Sequence, residues 1–264
     1  MDLQLNGKKA LVTGSTAGIG FAIADHLLGE GATVVINGRT KERVEQSVFL
    51  LQQKHPQSNV SGVAADFSKT EDVASLINQV SEIDILINNV GIFEPKPFVE
   101  ITDDDWLRFY EVNVLSGVRL SRHYLPQMLA RNWGRIIFIS SESALNIPEE
   151  MIHYGMTKTA QLAVSRGLAE LTKGTTVTVN AVLPGPTNSE GVAGFVANLA
   201  KAQNISAAQA EKEFFKTARP TSIIQRFATV DEVANMVVYI ASPLSSATNG
   251  SALRVDGGVV KTAI

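Results

Sequence analysis

Cysteine is absent from the 264-residue sequence, which excludes disulfides and thiolate metal sites. The histidines, His26, His55, His123 and His153, lack the paired spacing of a zinc site, so we expect no bound metal. Neither positive nor negative charge predominates in the sequence. The formal net charge is −3 and no basic stripe stands out, so nucleic acid is not expected as a partner.

Long hydrophobic runs are missing as well. No apolar stretch approaches the roughly 20 residues that span a bilayer, so no membrane contact is expected. The first residues lack the charged-then-apolar pattern of a signal peptide. These absences favour a cytoplasmic protein.

Short β-branched runs are present throughout, and segments with helical spacing separate them. The runs cover residues 10–13, 33–36, 60–64, 83–87, 135–140, 176–183 and 252–255. They are nearly continuous in apolar character, which is typical of strands buried on both faces. Helical spacing covers residues 19–28, 73–80 and 231–240, the last with Thr229 as its predicted N-cap. This alternation predicts one α/β domain over residues 1–264, a doubly wound parallel sheet of about seven strands with helices on both faces.

One stretch departs from the alternation. Residues 187–226 contain two helix-like pieces, 192–202 and 207–216, with no strand between them. Long insertions after a late strand are commonly binding loops or lids. We therefore expect a helical flap over the substrate.

The first strand leads into the glycine-rich segment Thr13-Gly14-Ser15-Thr16-Ala17-Gly18-Ile19-Gly20, where a helix starts. Gly14 permits a tight turn, Gly18 lets the backbone approach a pyrophosphate, and Gly20 lets the helix pack close to the strand. The helix N-terminus then offers unpaired N–H groups to the phosphates. No lysine follows the last glycine, which disfavours a P-loop. The segment predicts a dinucleotide site.

Further motifs follow along the chain: Asn88-Asn89-Val90-Gly91, Val112-Asn113-Val114, Ser140-Ser141, Tyr154-Gly155-Met156-Thr157-Lys158, Pro184-Gly185, Arg226-Phe227 and Val255-Asp256-Gly257-Gly258. Together with a glycine turn that reads TGxxxGxG, they resemble the short-chain dehydrogenase/reductase family over nearly the whole chain. The resemblance implies a Rossmann-type fold and hydride transfer with a nicotinamide cofactor. Val90 departs from the family pattern, in which alanine is usual, and adds two methyl groups beneath the cofactor.

The expected catalytic residues are Asn113, Ser141, Tyr154 and Lys158. An ordinary tyrosine has a pKa near 10, and a lysine one helical turn away is expected to lower the pKa of Tyr154 so that the phenol serves as general acid/base. Ser141 would polarise the substrate oxygen. Ser140 is its competitor, but the thirteen-residue offset to Tyr154 favours Ser141. The resemblance implies that Asn113 kinks its helix and holds a water that connects Lys158 to solvent; a buried asparagine bonded to backbone is the alternative.

The second strand is followed by Asn37-Gly38-Arg39-Thr40, which contains no acid to bind the ribose hydroxyls of NAD. Arg39 suits a 2′-phosphate, so NADP(H) is predicted in preference to NAD(H). The alternative is that Arg39 only caps the following helix. The expected cofactor-binding residues are Gly14, Ser15, Thr16, Gly18, Ile19, Gly20, Arg39, Asp66, Phe67, Asn88, Gly91, Tyr154, Lys158, Pro184, Gly185 and Thr187.

These residues predict an oxidoreductase for a small-molecule carbonyl or secondary alcohol. A 3-oxoacyl thioester reductase is an alternative, with Arg131 and Arg135 as bases at the pocket mouth. Glu142, Glu149 and Glu150 would repel an acidic carrier. A non-catalytic nicotinamide-binding regulator is the other alternative, although regulators that keep this fold usually lack at least one catalytic residue. Chain length and glycine spacing disfavour a sugar-nucleotide epimerase or dehydratase.

The segment 153–171 has helical spacing and apolar residues on more than one face. A helix that is apolar nearly all round is buried, here by another subunit. A homo-oligomer, tetramer or dimer, is therefore expected. His153 precedes Tyr154, and neighbouring helical residues point about 100° apart. No GxSxG elbow is present, so we interpret His153 as a pocket-wall or surface residue rather than a nucleophile's base.

Overall fold

The structure, a computed structural model, describes residues 1–263, excepting the side chains of residues 193, 195, 198, 199, 202 and 203. The strands are β1 (Lys9–Val12), β2 (Thr33–Gly38), β3 (Val60–Ala64), β4 (Ile85–Asn88), β5 (Arg135–Ile139), β6 (Thr178–Pro184) and β7 (Ala252–Val255). The helices are α1 (Gly18–Gly29), α2 (Lys41–Lys54), α3 (Thr70–Gln79), α4 (Asp103–Tyr110), α5 (Ser116–Ala130), α6 (Ile152–Glu170), α7 (Glu190–Gln203), α8 (Ala207–Thr217) and α9 (Val230–Ala241).

All seven strands pair in parallel in the order β3-β2-β1-β4-β5-β6-β7. This confirms the predicted doubly wound sheet. β1 lies between β2 and β4, so the direction in which successive strands are added reverses there. At such a switch point a crevice opens beyond the carboxyl ends of the strands. The fold therefore places the residues that follow β1, β4, β5 and β6 around one crevice.

Helices cover both faces of the sheet. Ala10 and Val12 of β1 face an apolar layer that includes Leu27 of α1, whereas Leu11 faces a layer that includes Leu120 of α5. Burial of a large aliphatic side chain contributes about 1.5–3 kcal/mol. The central strands are thus buried on both sides, as their continuous apolar runs predict.

β3 differs from that expectation. It occupies the edge of the sheet, and Ser61, Gly62 and Ala64 are exposed. An edge strand has a neighbour on one side only, so its sequence does not need to be apolar throughout. This accounts for the weaker apolar character of residues 60–64.

Both helices expected between residues 187 and 226 are present as α7 and α8. They form an apolar cluster of their own, in which Phe215 of α8 is almost fully buried beside Phe227. Thr229 begins α9 with a reciprocal capping box to Glu232, which confirms Thr229 as the N-cap. No helix among residues 1–263 is long and apolar enough to cross a bilayer.

Candidate active site

The turn between β1 and α1 has the geometry of a phosphate cradle. Gly14 and Gly18 have φ of +59° and +57°, a region that favours glycine. A Cβ on Gly20 would lie 2.5 Å from the Gly14 carbonyl oxygen, so only glycine allows α1 to sit this close. No side chain caps the start of α1, and no acid occupies its first turn. These features fit the phosphates of a dinucleotide, because the free N–H groups and the positive helix end remain available.

Asn89 secures this turn, a role that the sequence analysis missed. Its Nδ2 donates to the carbonyl oxygens of Thr13 and Gly14, both at 2.9 Å. Asn88, the predicted cofactor residue, instead directs its Nδ2 to Ser121 of α5 at 3.3 Å and is buried. The inner face of the turn is closed by Val90, whose Cγ2 would lie 3.2 Å from a Cβ on Gly14.

The ends of β1, β2 and β3 form the other half of the crevice. The Ser15 hydroxyl donates to the Val12 carbonyl oxygen at 2.6 Å, so this side chain stabilises the turn itself. Arg39 is exposed and makes no hydrogen bond or salt bridge with a described residue. Thr40, not Arg39, caps α2, since its side chain accepts from the Arg43 amide. The alternative interpretation of Arg39 as a helix cap is therefore wrong.

Asp66 and Phe67 follow β3. The Asp66 carboxylate accepts hydrogen bonds from the Ser68 amide at 3.0 Å and the Ser68 hydroxyl at 2.8 Å. The Ser68 amide is the main cause of a lowered pKa for Asp66, and nearby Arg39 contributes. Phe67 is buried in the apolar layer beneath the sheet, so its main chain, rather than its ring, is available at the crevice.

A cleft of about 520 Å³ opens where β4, β5 and β6 end. The predicted residues in its wall are Ile19, Gly91, Ser141, Tyr154, Lys158, Pro184, Gly185 and Thr187. The structure thus brings three of the predicted catalytic residues into the same cavity as part of the predicted cofactor set. The roles of these residues remain predictions.

Ser141 and Ser140 occupy different environments. The Ser140 hydroxyl donates to the Lys158 carbonyl oxygen at 2.9 Å, which turns it toward α6. The Ser141 hydroxyl accepts from the Ser143 amide at 3.1 Å, and a hydrogen bond with the Tyr154 phenol opposes the rise in the pKa of that phenol. Both serines line the cleft, but the hydroxyl that interacts with the Tyr154 phenol is that of Ser141.

Burial dominates the ionisation of Tyr154 and Lys158. Burial raises the pKa of Tyr154 to about 12 and lowers the pKa of Lys158 to about 7. Lys158 Nζ donates to the Ile139 carbonyl oxygen at 2.9 Å and lies 5.6 Å from the centre of the Tyr154 ring. The expected net lowering of the Tyr154 pKa is wrong for this arrangement, because desolvation of the phenol outweighs the stabilisation of its phenolate by Lys158, which is itself desolvated.

Asn113 lies in a single π-helical segment, Glu111–Leu115, between α4 and α5. Its Oδ1 accepts from the Ile92 amide at 2.8 Å, and its Nδ2 donates to the Ile92 carbonyl and the Thr157 hydroxyl, both at 3.0 Å. The side chain thus ties the segment after β4 to α6, which agrees with the alternative of a buried asparagine bonded to backbone. The interrupted helix agrees with the expected kink.

The wall of the cleft that faces away from the glycine turn contains charged residues. Arg219, which follows α8, donates from Nε to Glu142 Oε1 at 3.0 Å and from Nη1 to Glu150 Oε1 at 3.2 Å. Arg219 was missed by the sequence analysis. Nothing in the sequence distinguished it from the other charged residues of this segment, such as Lys212 and Lys216.

Two expectations about charged residues are wrong. Arg131 and Arg135 were candidate bases at the pocket mouth, but Arg135 begins β5, beside the first residues of β4 and β6. Arg131 donates to the Ile83 carbonyl oxygen near the same end of the sheet. Both arginines therefore lie at the amino ends of the strands, whereas the cleft opens at the carboxyl ends.

His153 is neither a pocket-wall nor a surface residue. It is 1% exposed, and its ring packs at a tilt of 53° against the ring of Phe109, with centroids 4.0 Å apart. Neither ring nitrogen has a hydrogen-bond partner among the described residues. His153 lies one position before Tyr154 on α6, and its side chain points into the interface with α4 rather than into the cleft.

No group of acidic or histidine side chains among residues 1–263 could hold a metal ion. Comparisons with known proteins agree with a nicotinamide enzyme. The model of the family described as "short chain dehydrogenase" matches residues 8–200. The chain is 50% identical to an uncharacterized oxidoreductase, YvrD, of Bacillus subtilis (strain 168), over 99% of this chain and 100% of the relative.

More distant relatives have assigned activities. The chain is 32% identical to the 3-oxoacyl-[acyl-carrier-protein] reductase FabG of Aquifex aeolicus (strain VF5), over 98% of this chain and 100% of the relative. A solved structure of L-sorbose reductase from Gluconobacter frateurii, complexed with NADPH and L-sorbose, superposes with a TM-score of 0.93. Its identity is 32%, over 99% of this chain and 100% of that one. The chain therefore belongs to the short chain dehydrogenase family and is an oxidoreductase.

Proposed function

We propose that the protein transfers a hydride between NADP(H) and a carbonyl or secondary alcohol substrate, with Tyr154 as general acid/base. The observation that carries this proposal is the meeting of Ser141, Tyr154 and Lys158 in one cleft beside the glycine turn. A bound nicotinamide dinucleotide would supply or accept the hydride. The protein must then supply the proton and stabilise charge on the substrate oxygen.

Tyr154 suits proton donation in the reductive direction. With a pKa of about 12, its phenol holds its proton at neutral pH. The Ser141 hydroxyl beside it donates a hydrogen bond to the same substrate oxygen, where negative charge develops during reduction. Lys158, buried below the phenol, stabilises the phenolate that remains after proton transfer. Asn113 acts as a positioning residue that holds the segment around Ile92 against α6.

NADP(H) is favoured over NAD(H) by the residues after β2. Arg39 is exposed, follows the strand directly and makes no hydrogen bond or salt bridge with a described residue, so its guanidinium is available to a 2′-phosphate. Solved relatives contain the same cofactor: the L-sorbose reductase is complexed with NADPH, and a gluconate 5-dehydrogenase homologue from Beutenbergia cavernae has bound NADP. Among the other predicted cofactor residues, Ile19, Gly91, Pro184, Gly185 and Thr187 line the cleft, and Gly14, Ser15, Gly18 and Gly20 form the glycine turn.

We propose that the chain is a single catalytic domain, residues 1–264. Segment 187–226 is a flap of this domain and forms the side of the cleft that receives the substrate. Phe214 and Arg219 of this segment line the cleft opposite the predicted catalytic residues. Beside Tyr154, Phe93 presents its ring edge-on with centroids 6.4 Å apart. A small-molecule substrate would thus contact Tyr154 between two aromatic side chains.

A 3-oxoacyl thioester reductase is the second candidate, since the Aquifex aeolicus relative has that activity. A carrier protein is acidic and needs basic residues at the mouth, but Arg131 and Arg135 lie at the other end of the sheet. Glu142 and Glu150 line the cleft instead. A ketone such as the L-sorbose bound by the structural relative suits this wall better. A non-catalytic regulator is disfavoured because the predicted catalytic residues are all retained.

A homo-oligomer, tetramer or dimer, is part of the proposal. An apolar groove between α5 and α6, lined by Leu125 and Leu168 among others, ends at Leu171, which is 62% exposed. A second copy would cover it. The cytoplasmic location stays a prediction.

Replacement of the phenol tests the proposed mechanism. Tyr154→Phe should lower kcat for NADPH-dependent reduction of a ketone by about 10²–10⁴-fold, the usual contribution of a positioned acid. NADPH binding, followed by cofactor fluorescence, should remain. Tyr239→Phe removes a half-exposed hydroxyl on α9 and is the matched control. Turnover retained in Tyr154→Phe would refute the assignment of Tyr154 as the acid.

A further inference from the structure

Arg219 and Glu142 form an ion pair that is sealed from bulk water yet belongs to the wall of the cleft. Arg219 is 7% exposed and Glu142 is 3% exposed. Glu142 directly follows Ser141, so its side chain starts one residue from the hydroxyl that faces Tyr154. The pair therefore lines the same cleft as Ser141 and Tyr154, and both of its charges act on the Tyr154 phenol.

The contact between the two side chains uses only part of their hydrogen-bonding capacity. Arg219 Nε donates to Glu142 Oε1, and Arg219 Nη1 donates to Glu150 and to the Ala218 carbonyl oxygen. Within residues 1–263, Glu142 Oε2 accepts no hydrogen bond. Arg219 Nη2 likewise has no acceptor there. A buried carboxylate oxygen without a donor is costly, so its persistence in a cleft wall points to a ligand that supplies the donor.

An open acceptor and an open donor on one ion pair select for a particular group. A hydroxyl can donate its proton to a carboxylate oxygen and accept from a guanidinium at the same time. A ketone or a carboxylate only accepts hydrogen bonds, and an ammonium only donates them, so none of these groups satisfies both sites. The pair is matched to a neutral alcohol group.

The charge of this wall excludes anionic substrates. One guanidinium faces the two carboxylates of Glu142 and Glu150, which leaves an excess of negative charge when both are ionised. Burial raises the pKa of Glu142, while Arg219 and the neighbouring Ser143 oppose that rise. Bringing a carboxylate or phosphate against this wall would add like charge in a poorly solvated site.

We propose that Glu142 and Arg219 are a hydroxyl subsite, and that the substrate is a neutral ketone with a hydroxyl group close to the carbonyl, or the corresponding polyol. This inference rests on the proposed function, because it assumes that the carbonyl is held by Ser141 and Tyr154. It goes further by assigning the substrate class and the residues that select it.

Matched ketones separate the subsite from general turnover. We would measure kcat/KM with NADPH for 3-hydroxy-2-butanone, for 2-butanone, which lacks the hydroxyl, and for acetoacetate, which carries a charge. The wild-type protein should prefer the hydroxyketone over 2-butanone by about tenfold or more, the effect of one charge-assisted hydrogen bond. Acetoacetate should be the poorest substrate.

Glu142→Gln should lower the ratio of kcat/KM for the hydroxyketone to that for 2-butanone about tenfold, because the amide presents a donor where an acceptor is needed. Arg219→Lys, which keeps the charge but not the planar fork, should have the same selective effect. Glu149→Gln removes an exposed carboxylate from the same segment and is the matched control. Turnover of 2-butanone reports in each variant whether the cleft is intact.

Equal kcat/KM for the hydroxyketone and 2-butanone in the wild type, or an unchanged ratio in Glu142→Gln and Arg219→Lys, would overturn the subsite while the proposed function stands. Calorimetric titration of 3-hydroxy-2-butanone into the NADPH-loaded protein separates the two proposals. If no carbonyl is reduced but binding of the hydroxyketone still depends on Glu142, the proposed function fails and the subsite is supported. If neither reduction nor Glu142-dependent binding is found, both fail.

Discussion

The side-chain amide of Gln161 donates to the main-chain oxygen of Asn113 at 2.5 Å. The oxygen of the same amide accepts from Lys158 Nζ at 3.3 Å. Gln161 is 2% exposed and lies one helical turn beyond Lys158 on α6. It therefore connects the π-helical segment to the buried lysine, and it supplies one of the two acceptors that the described residues offer to the ammonium.

Gln161→Leu should shift the pH dependence of ketone reduction. Loss of the amide oxygen favours the neutral lysine, so the pKa of Lys158, already lowered by burial to about 7, falls further. Less ammonium is then present near neutral pH to stabilise the phenolate that forms as Tyr154 donates its proton. The descending limb of kcat/KM, where Lys158 loses its proton as the pH rises, should therefore move downward by about one pH unit, as expected for one hydrogen bond to a charged group.

Ser165→Ala is the control for this variant. Ser165 is equally buried one turn further along α6, and its hydroxyl has no hydrogen-bond partner among the described residues. Its replacement should leave the pH profile unchanged. A purely structural role for Gln161 would lower the free energy of unfolding in Gln161→Leu without moving the limb, and that result would contradict the positioning role.

The parallel sheet and the glycine turn could be predicted because their causes are local in the sequence. Continuous apolar runs report burial on both faces, and Gly14 and Gly18 report backbone conformations that other residues avoid. The site depends on contacts between distant segments. Arg219 and Glu142 are 77 residues apart, and Gln161 and Asn113 are 48 apart. No periodicity relates such pairs.

The ionisation of Tyr154 could not be predicted for a related reason. The spacing to Lys158 correctly predicts that both side chains occupy one helix face, but the sign of the pKa change depends on how completely the phenol is desolvated. Desolvation is set by every element that packs around it. Similarly, helical geometry turns His153 away from Tyr154 without revealing that α4 buries it.

Arg39→Ala should weaken binding of NADPH selectively. If the guanidinium pairs with the 2′-phosphate, its loss should raise KM for NADPH by about 10–100-fold, with kcat and the KM for NADH little changed. Steady-state kinetics with both cofactors and one ketone would measure this. Lys41→Ala is the control, because Lys41 carries the same charge nearby but pairs with Glu45 at 3.7 Å.

Equal effects of Arg39→Ala on both cofactors would show that Arg39 contacts a part that they share. An unchanged KM for NADPH would remove the basis for the proposed NADP(H) preference. A drop in the KM for NADH together with the rise for NADPH would strengthen that basis, since it would separate the 2′-phosphate from the rest of the nucleotide.

His153 should make stability depend on pH. Burial lowers its pKa below the ordinary value of 6.5, with the charges of Asp105 and Glu94 opposing the effect and those of Arg108 and Lys96 adding to it. The unfolded chain therefore binds a proton more readily than the folded protein does. The stabilising contribution is complete above about pH 6.5 and is lost as the pH falls from there toward the folded pKa, with a slope of at most about 1.4 kcal/mol per pH unit.

His153→Leu removes this titration and two unpaired nitrogens while keeping an apolar side chain of similar size. Urea unfolding at a fixed protein concentration should give a free energy of unfolding that falls less between pH 7 and pH 5 than that of the wild-type protein. The difference between the two should be nearly constant above pH 7, where the imidazole is neutral in both states. Because His153 lies outside the cleft, ketone reduction at pH 8 should stay within about threefold of wild type, less than half the effect of losing one hydrogen bond to a charged group. Parallel pH dependences of unfolding in the two proteins would contradict a buried neutral histidine, and a large loss of turnover would instead place the imidazole in the reaction.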